Sequence, residues 1–149
     1  MSTVRVEISI DAPPQVVFDT IMDPTRLGDW VTIHRSVSNL SAEPAAEGAR
    51  MDQVLQLRGV TLTVHWTLVR VDRPHEAEWQ GRGPAGSRAV IHYSLKGDES
   101  GPTTFVYTND FSAPGGALGS VVSRVVVGSA SEREARESLQ RLKQLIEHA

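Results

Sequence analysis

Thr3-Val-Arg-Val-Glu-Ile-Ser-Ile-Asp-Ala-Pro-Pro-Gln-Val-Val-Phe18 changes its hydrophobic period partway through. Up to Ile10 the chain alternates, with Val4, Val6, Ile8 and Ile10 on one side and Arg5, Glu7 and Ser9 on the other. Successive side chains of a strand point to opposite faces, so this pattern predicts a strand buried on one face. Asp11-Ala-Pro-Pro then supplies helix-start chemistry. Asp11 is a candidate N-cap, and a proline is tolerated in the first turn because its missing N–H has no intrahelical partner to lose. Val16, Val17, Phe18 and Ile21 fit a short helix ending before Pro24, and Asp23-Pro24-Thr25 starts a second one through Leu27 to Trp30. Helices this short are unstable alone and must dock on a larger element.

Downstream, the pattern predicts strands over 33–42, 49–58, 60–72, 76–82, 88–97 and 103–111. Turn formers separate them: Glu43-Pro-Ala-Ala-Glu-Gly48, Gly59, Asp72-Arg-Pro-His75, Gly83-Pro-Ala-Gly86 and Gly97-Asp-Glu-Ser-Gly-Pro102. Connections this short favour an antiparallel meander, because parallel neighbours need a long crossover. Beyond Ala113-Pro-Gly-Gly116, apolar residues from Leu118 to Leu139, Leu142 and Ile146 recur at helical spacing, with Glu132, Arg133, Glu137 and Arg141 on the wet face. A helix over 117–147 would be ~45 Å long and must lie across the whole sheet.

Composition narrows the function classes. The 149 residues are 40% hydrophobic and 22% charged, which suits one folded domain spanning 1–149 and not a disordered chain. A formal net charge of -3 offers no basic field, so nucleic acid is not an expected partner. With no cysteine, disulfides, thiol nucleophiles and thiolate metal sites are excluded. The first residues contain no apolar core of signal-peptide length, and the run from Val121 to Ala130 is too short to span a bilayer and contains Arg124. The expectation is a cytoplasmic protein without stable membrane insertion.

Strand, two short helices, six strands and a long helix form an α+β order that resembles the START-like, polyketide cyclase/dehydrase and lipid-transport superfamily (SRPBCC). Ile8-Ser-Ile-Asp-Ala-Pro-Pro-Gln-Val-Val-Phe18 and Pro24-Thr-Arg-Leu-Gly-Asp-Trp30 look like its opening strand and helices. Val69-Arg-Val-Asp-Arg-Pro74 with Ala77-Glu-Trp79 resembles its hairpin wording, and Phe111-Ser-Ala-Pro-Gly-Gly-Ala-Leu-Gly119 and Leu139-Gln-Arg-Leu-Lys-Gln-Leu-Ile-Glu147 resemble its tail. The resemblance implies a helix-grip fold: a seven-stranded curved antiparallel sheet around the long C-terminal helix, with two short helices after strand 1. Such a fold hosts binding proteins and enzymes alike.

A sheet gripping a helix leaves a cleft where inward side chains do not meet, and such clefts are the default ligand site. Period-2 phasing turns Leu55, Leu57, Trp79, Ile91, Tyr93, Phe105, Tyr107, Asn109 and Phe111 inward. In strand 60–72, Val69 and Val71 set the phase, which sends His65 and Thr67 inward; a one-residue slip would exchange them for Val64 and Trp66. The expected ligand-contacting set is Trp30, Leu57, His65, Trp79, Ile91, Tyr93, Tyr107, Asn109 and Phe111. Tyrosine and asparagine heads can fix a carbonyl or hydroxyl of an otherwise apolar ligand. His65 is the candidate catalytic base, and His92 faces outward. No His-x-x-x-His or Glu-x-x-His pair suggests a metal site, no Gly-x-Ser-x-Gly elbow suggests a nucleophile, and no cofactor is expected. Gly115–Gly119 reads as a flexible entry to the long helix.

Three readings follow. The first is a binding or carrier protein for a small hydrophobic or amphipathic ligand, such as a lipid, polyketide or aromatic metabolite. The second is a polyketide cyclase/dehydratase-type enzyme in which His65, Tyr93 or Tyr107 moves a proton. The third is an interaction or regulatory protein, for instance a homodimer, acting through a sheet face on which Val64, Trp66 and Leu68 form an exposed apolar stripe.

Overall fold

A computed structural model describes residues 2–57, 59–112 and 129–149. The alternating opening segment is strand β1 (Ser2–Ile10), followed by helix α1 (Pro14–Ile21), a 3-10 turn (Pro24–Arg26) and helix α2 (Leu27–Trp30). Strands β2 (His34–Ser38), β3 (Arg50–Leu57), β4 (Val60–Asp72), β5 (Glu76–Arg82), β6 (Arg88–Lys96) and β7 (Thr103–Ser112) come next, and helix α3 (Ser129–Glu147) closes the order. The described strands form one antiparallel sheet, ordered β1-β7-β6-β5-β4-β3-β2. Strands β2 to β7 are the meander expected from their short connections. The first strand returns to pair with the last, placing Val4, Val6 and Ile8 opposite Asn109, Tyr107 and Phe105. The sheet curls into a half-barrel against α3, the helix-grip arrangement. Residues 117–128 of the expected helix and the Gly115–Gly119 segment lie outside the described residues.

The core fills the space between sheet and helices. Ile10 of β1, Val17 and Phe18 of α1, Phe105 of β7, and Leu139 and Leu142 of α3 are at most 1% exposed and belong to one packed cluster. Polar clamps fix the helix on its bed. Thr32, just after α2, donates its backbone N–H to Ser138 Oγ at 3.1 Å and its hydroxyl to Glu134. Near the other end of α3, Lys143 Nζ donates to the carbonyl of Ser9 and to Glu147, each at 2.7 Å. The Lys143 ammonium and the Asp11 backbone N–H together hold the Glu147 carboxyl below the usual carboxylate range.

Two local expectations are corrected. Asp11 does not cap α1: extended Pro13 occupies the cap position without a side-chain cap bond, and Pro14 is the first helical residue. A proline disfavours helical geometry in the residue before it, so Pro14 holds Pro13 extended and leaves Asp11 two residues upstream of the cap. The Asp11 N–H donates instead to Glu147, at 2.7 Å.

The second correction concerns β4. Against β5, Leu68 pairs with Trp79 and Arg70 with Glu78, so Val69 is an extra residue in a β-bulge. The bulge shifts the side-chain phase by one. Leu62, Val64, Trp66 and Leu68 point into the core before it, and Val71 does so after it. The residues before the bulge therefore have the opposite parity to Val71 on the same face. His65 is therefore on the outer face with its side chain 63% exposed, its Nδ1 on Asp52 Oδ1 at 2.6 Å. The expected apolar stripe of Val64, Trp66 and Leu68 is core, and the interaction reading loses the surface it rested on.

Candidate functional site

The concave sheet face, α2 and α3 enclose a cavity of about 160 Å³. Every expected contact residue except His65 lines it. Trp30 comes from α2, Leu57 from β3, Trp79 from β5, Ile91 and Tyr93 from β6, and Tyr107, Asn109 and Phe111 from β7. Period 2 brings the sheet residues together: Tyr93 stands directly opposite Tyr107, and Ile91 opposite Asn109. His65 points away from the cavity, so it is not its base.

The two phenols are the polar centre of the wall. Their rings lie 6.2 Å apart at 34°, and Tyr93 also meets Phe105 edge-on at 5.5 Å. Burial disfavours a charged phenolate, pushing the Tyr107 hydroxyl up to about 12 against a smaller opposing pull from Asn109. Burial, and then repulsion from Tyr107, raises Tyr93 further. Both are neutral hydrogen-bond donors at physiological pH and poor bases.

Sequence reading missed a second polar feature. The indole N–H of Trp66 donates to Gln53 Oε1 at 2.9 Å, and Gln53 Nε2 donates to His34 Nδ1 at the same distance. This fixes the Gln53 amide orientation and requires an unprotonated His34 Nδ1. Partial burial lowers the His34 pKa in the same direction. Gln53 and Trp66 line the cavity, so the chain of bonds runs from its wall to the base of β2. A signal for Gln53 was present: it shares the parity of Leu55 and Leu57 on β3.

Two buried polar atoms of the lining residues, Trp30 Nε1 and Asn109 Oδ1, have no hydrogen-bond partner among the described residues. Ser138 and Glu134 of α3 reach the wall but are engaged by Thr32. Among the described residues whose side chains could gather round a metal, no group of three or more histidine or acidic residues forms. No described helix is long and apolar enough to cross a membrane.

Known proteins place this architecture. Rv1546, an uncharacterised protein of Mycobacterium tuberculosis, is 27% identical over 130 residues, covering 85% of this chain and 91% of its own length. A second protein of that organism, named toxin Rv0910, is 26% identical over 140 residues, 94% of each chain. The crystal structure of TTHA0849 from Thermus thermophilus superposes with a TM-score of 0.75 at 19% identity, over 98% of this chain and 97% of that one, and shows the shared fold. The family model described as polyketide cyclase / dehydrase and lipid transport matches residues 1–147, and the chain belongs to that family.

Proposed function

We propose that this protein binds a small apolar or amphipathic molecule in the cavity between its sheet and α3, as a binding or carrier module. The observation that carries the reading is the wall itself. Aliphatic and aromatic side chains make up most of it, with two neutral phenols and the Asn109 amide among its few polar groups. Removing an apolar guest from water into such a site is favoured at roughly 25 cal/mol per Å² buried. Ile91, Tyr93 and Tyr107 would be its principal contacts.

Native mass spectrometry of protein purified from its own host tests this. A retained small molecule, released on denaturation and absent from an Ile91→Trp variant that fills the cavity, is the expected result. A host-purified protein with no adduct that also fails to bind a naphthalene dye would overturn it.

The paired phenols favour one alternative, a cyclase or dehydratase acting on the bound molecule. Two neutral donors facing one cavity can polarise a carbonyl and protonate an enolate, and positioning alone supplies much of such a rate. Proton abstraction would then fall to a group other than His65.

A further inference from the structure

The chain of hydrogen bonds through Trp66, Gln53 and His34 has a direction, fixed by its first member. An indole nitrogen can only donate, so the Gln53 amide must turn its oxygen to Trp66 and its NH2 to His34. The imidazole can accept that NH2 only while its Nδ1 carries no proton. Gln53 is 6% exposed and Trp66 5%, and both line the cavity. The half-buried His34 ring stands opposite Leu55 of β3 and beside Gly28 of α2, where a Cβ would lie 3.6 Å from its Cδ2. Two hydrogen bonds thus join the cavity wall to a titratable group behind it.

A proton on His34 Nδ1 gives Gln53 a donor on each side and one oxygen to meet them. Whichever way the amide turns, one buried hydrogen bond is lost, and a buried donor without an acceptor is destabilising. The groups set loose belong to wall residues, so the water or side-chain movement that satisfies them alters the surface an apolar guest packs against. Charged groups on the elements packed round His34 are engaged or turned to solvent. Arg35 of β2 and Arg50 of β3 are exposed, and Asp52 of β3 is held on the outer face by Asn39 and His65. Arg26 and Asp29, before and within α2, pair at 2.8 Å, and Glu134 of α3 accepts from Thr32. Burial lowers the His34 pKa, in keeping with a folded state that prefers the unprotonated ring.

We propose that His34 is a pH-dependent latch on the cavity: its unprotonated ring holds the Gln53 and Trp66 side chains in the form that binds an apolar guest, and its protonation loosens them and weakens binding. The proposal rests on the cavity-binding reading above and adds a regulation of that same site. Affinity is full above the His34 pKa and falls as pH drops through it. By reciprocity, a bound guest holds the His34 pKa lower still.

Calorimetric titration of the full chain with ethylbenzene, which has no group of its own to titrate, tests this at about pH 8 and about pH 5. Affinity in the unmodified protein should be about three-fold to ten-fold lower in acid, the size of one lost hydrogen bond. His34→Asn should keep the affinity measured at the higher pH and lose the pH dependence. Its Oδ1 lies the same number of bonds from the backbone as the imidazole Nδ1 and accepts from Gln53 without titrating. Proton–nitrogen spectra of the imidazoles should show His34 gaining its proton as pH falls, with the midpoint moved lower by saturating ethylbenzene. Equal affinity at the two pH values overturns the latch while cavity binding stands. So does a pH dependence that survives in His34→Asn, or a His34 midpoint that ethylbenzene leaves in place. If ethylbenzene does not bind at the higher pH, the cavity reading itself falls and takes the latch with it.

Discussion

Gly81→Ala should damage the cavity wall without touching a ligand group. Gly81 lies opposite Trp66 across β4 and β5, and the indole covers it. A Cβ at this position would stand 2.6 Å from Trp66 Cε3 and Cζ3 and 2.7 Å from Val64 Cγ1. Carbon atoms pack at about 3.5–4.0 Å, so the ring would have to retreat by roughly 1 Å. It is tethered by its N–H bond to Gln53, 2.9 Å long and buried. Overpacking of this kind costs roughly 1–3 kcal/mol, and straining or losing a buried hydrogen bond adds about 1 kcal/mol or more. The expected total is roughly 2–4 kcal/mol. For a chain of 149 residues that lowers Tm by roughly 4–16 °C. Urea melts followed by far-ultraviolet circular dichroism would show a lower midpoint at unchanged slope. The same substitution in a Trp66→Leu background should cost far less, because the clashing ring is gone and contacting residues are not additive. Equal stability of Gly81→Ala and the unmodified protein, or an undiminished cost in the Trp66→Leu background, would refute the packing described for this wall.

Leu142→Ala, at a fully buried α3 position, should destabilise by roughly 2–5 kcal/mol in the same melts. Tyr107→Phe removes one hydroxyl from the cavity and should change stability by less than about 1.5 kcal/mol, while calorimetry shows weaker binding of a ketone probe. His65→Ala, on the outer face, should leave probe binding unchanged; a loss of binding would return His65 to the site. His34 supplies a pH dependence with a definite sign. Its folded pKa is depressed below 6.5 by partial burial, so the folded state resists protonation. Its contribution is intact above the unfolded value and is lost as pH falls below it. Melting temperature should drop between about pH 7 and pH 5, and His34→Asn should flatten that drop.

What the sequence makes legible depends on whether a residue's environment follows from its neighbours in the chain. Clean alternation in β1, β6 and β7 carries its own phase, which is why Tyr93, Tyr107 and Asn109 can be aimed into one cavity from spacing alone. Strand β4 has no such security. A bulge inserts one residue without any glycine or proline to announce it, and Val69 looks like any other β-branched strand residue. The phase error that placed His65 inside and Trp66 outside follows directly. The first half of β4 holds the corrective clue, since Leu62, Val64, Trp66 and Leu68 form an unbroken apolar set. The Trp66–Gln53–His34 chain is illegible for another reason: its members come from three different strands, and only the pairing register brings them together. The clamps on α3 likewise join residues more than a hundred positions apart.

Selective methyl labelling and a two-dimensional proton–carbon titration with ethylbenzene test the central claim most directly. Binding in the cavity predicts shifts at the methyls of Leu57, Leu62, Ile91 and Leu139, which line it, and none at the exposed Val16 and Leu40. Shifts confined to Val16 and Leu40, or none at any of these methyls at saturating probe, would contradict an internal site for an apolar ligand.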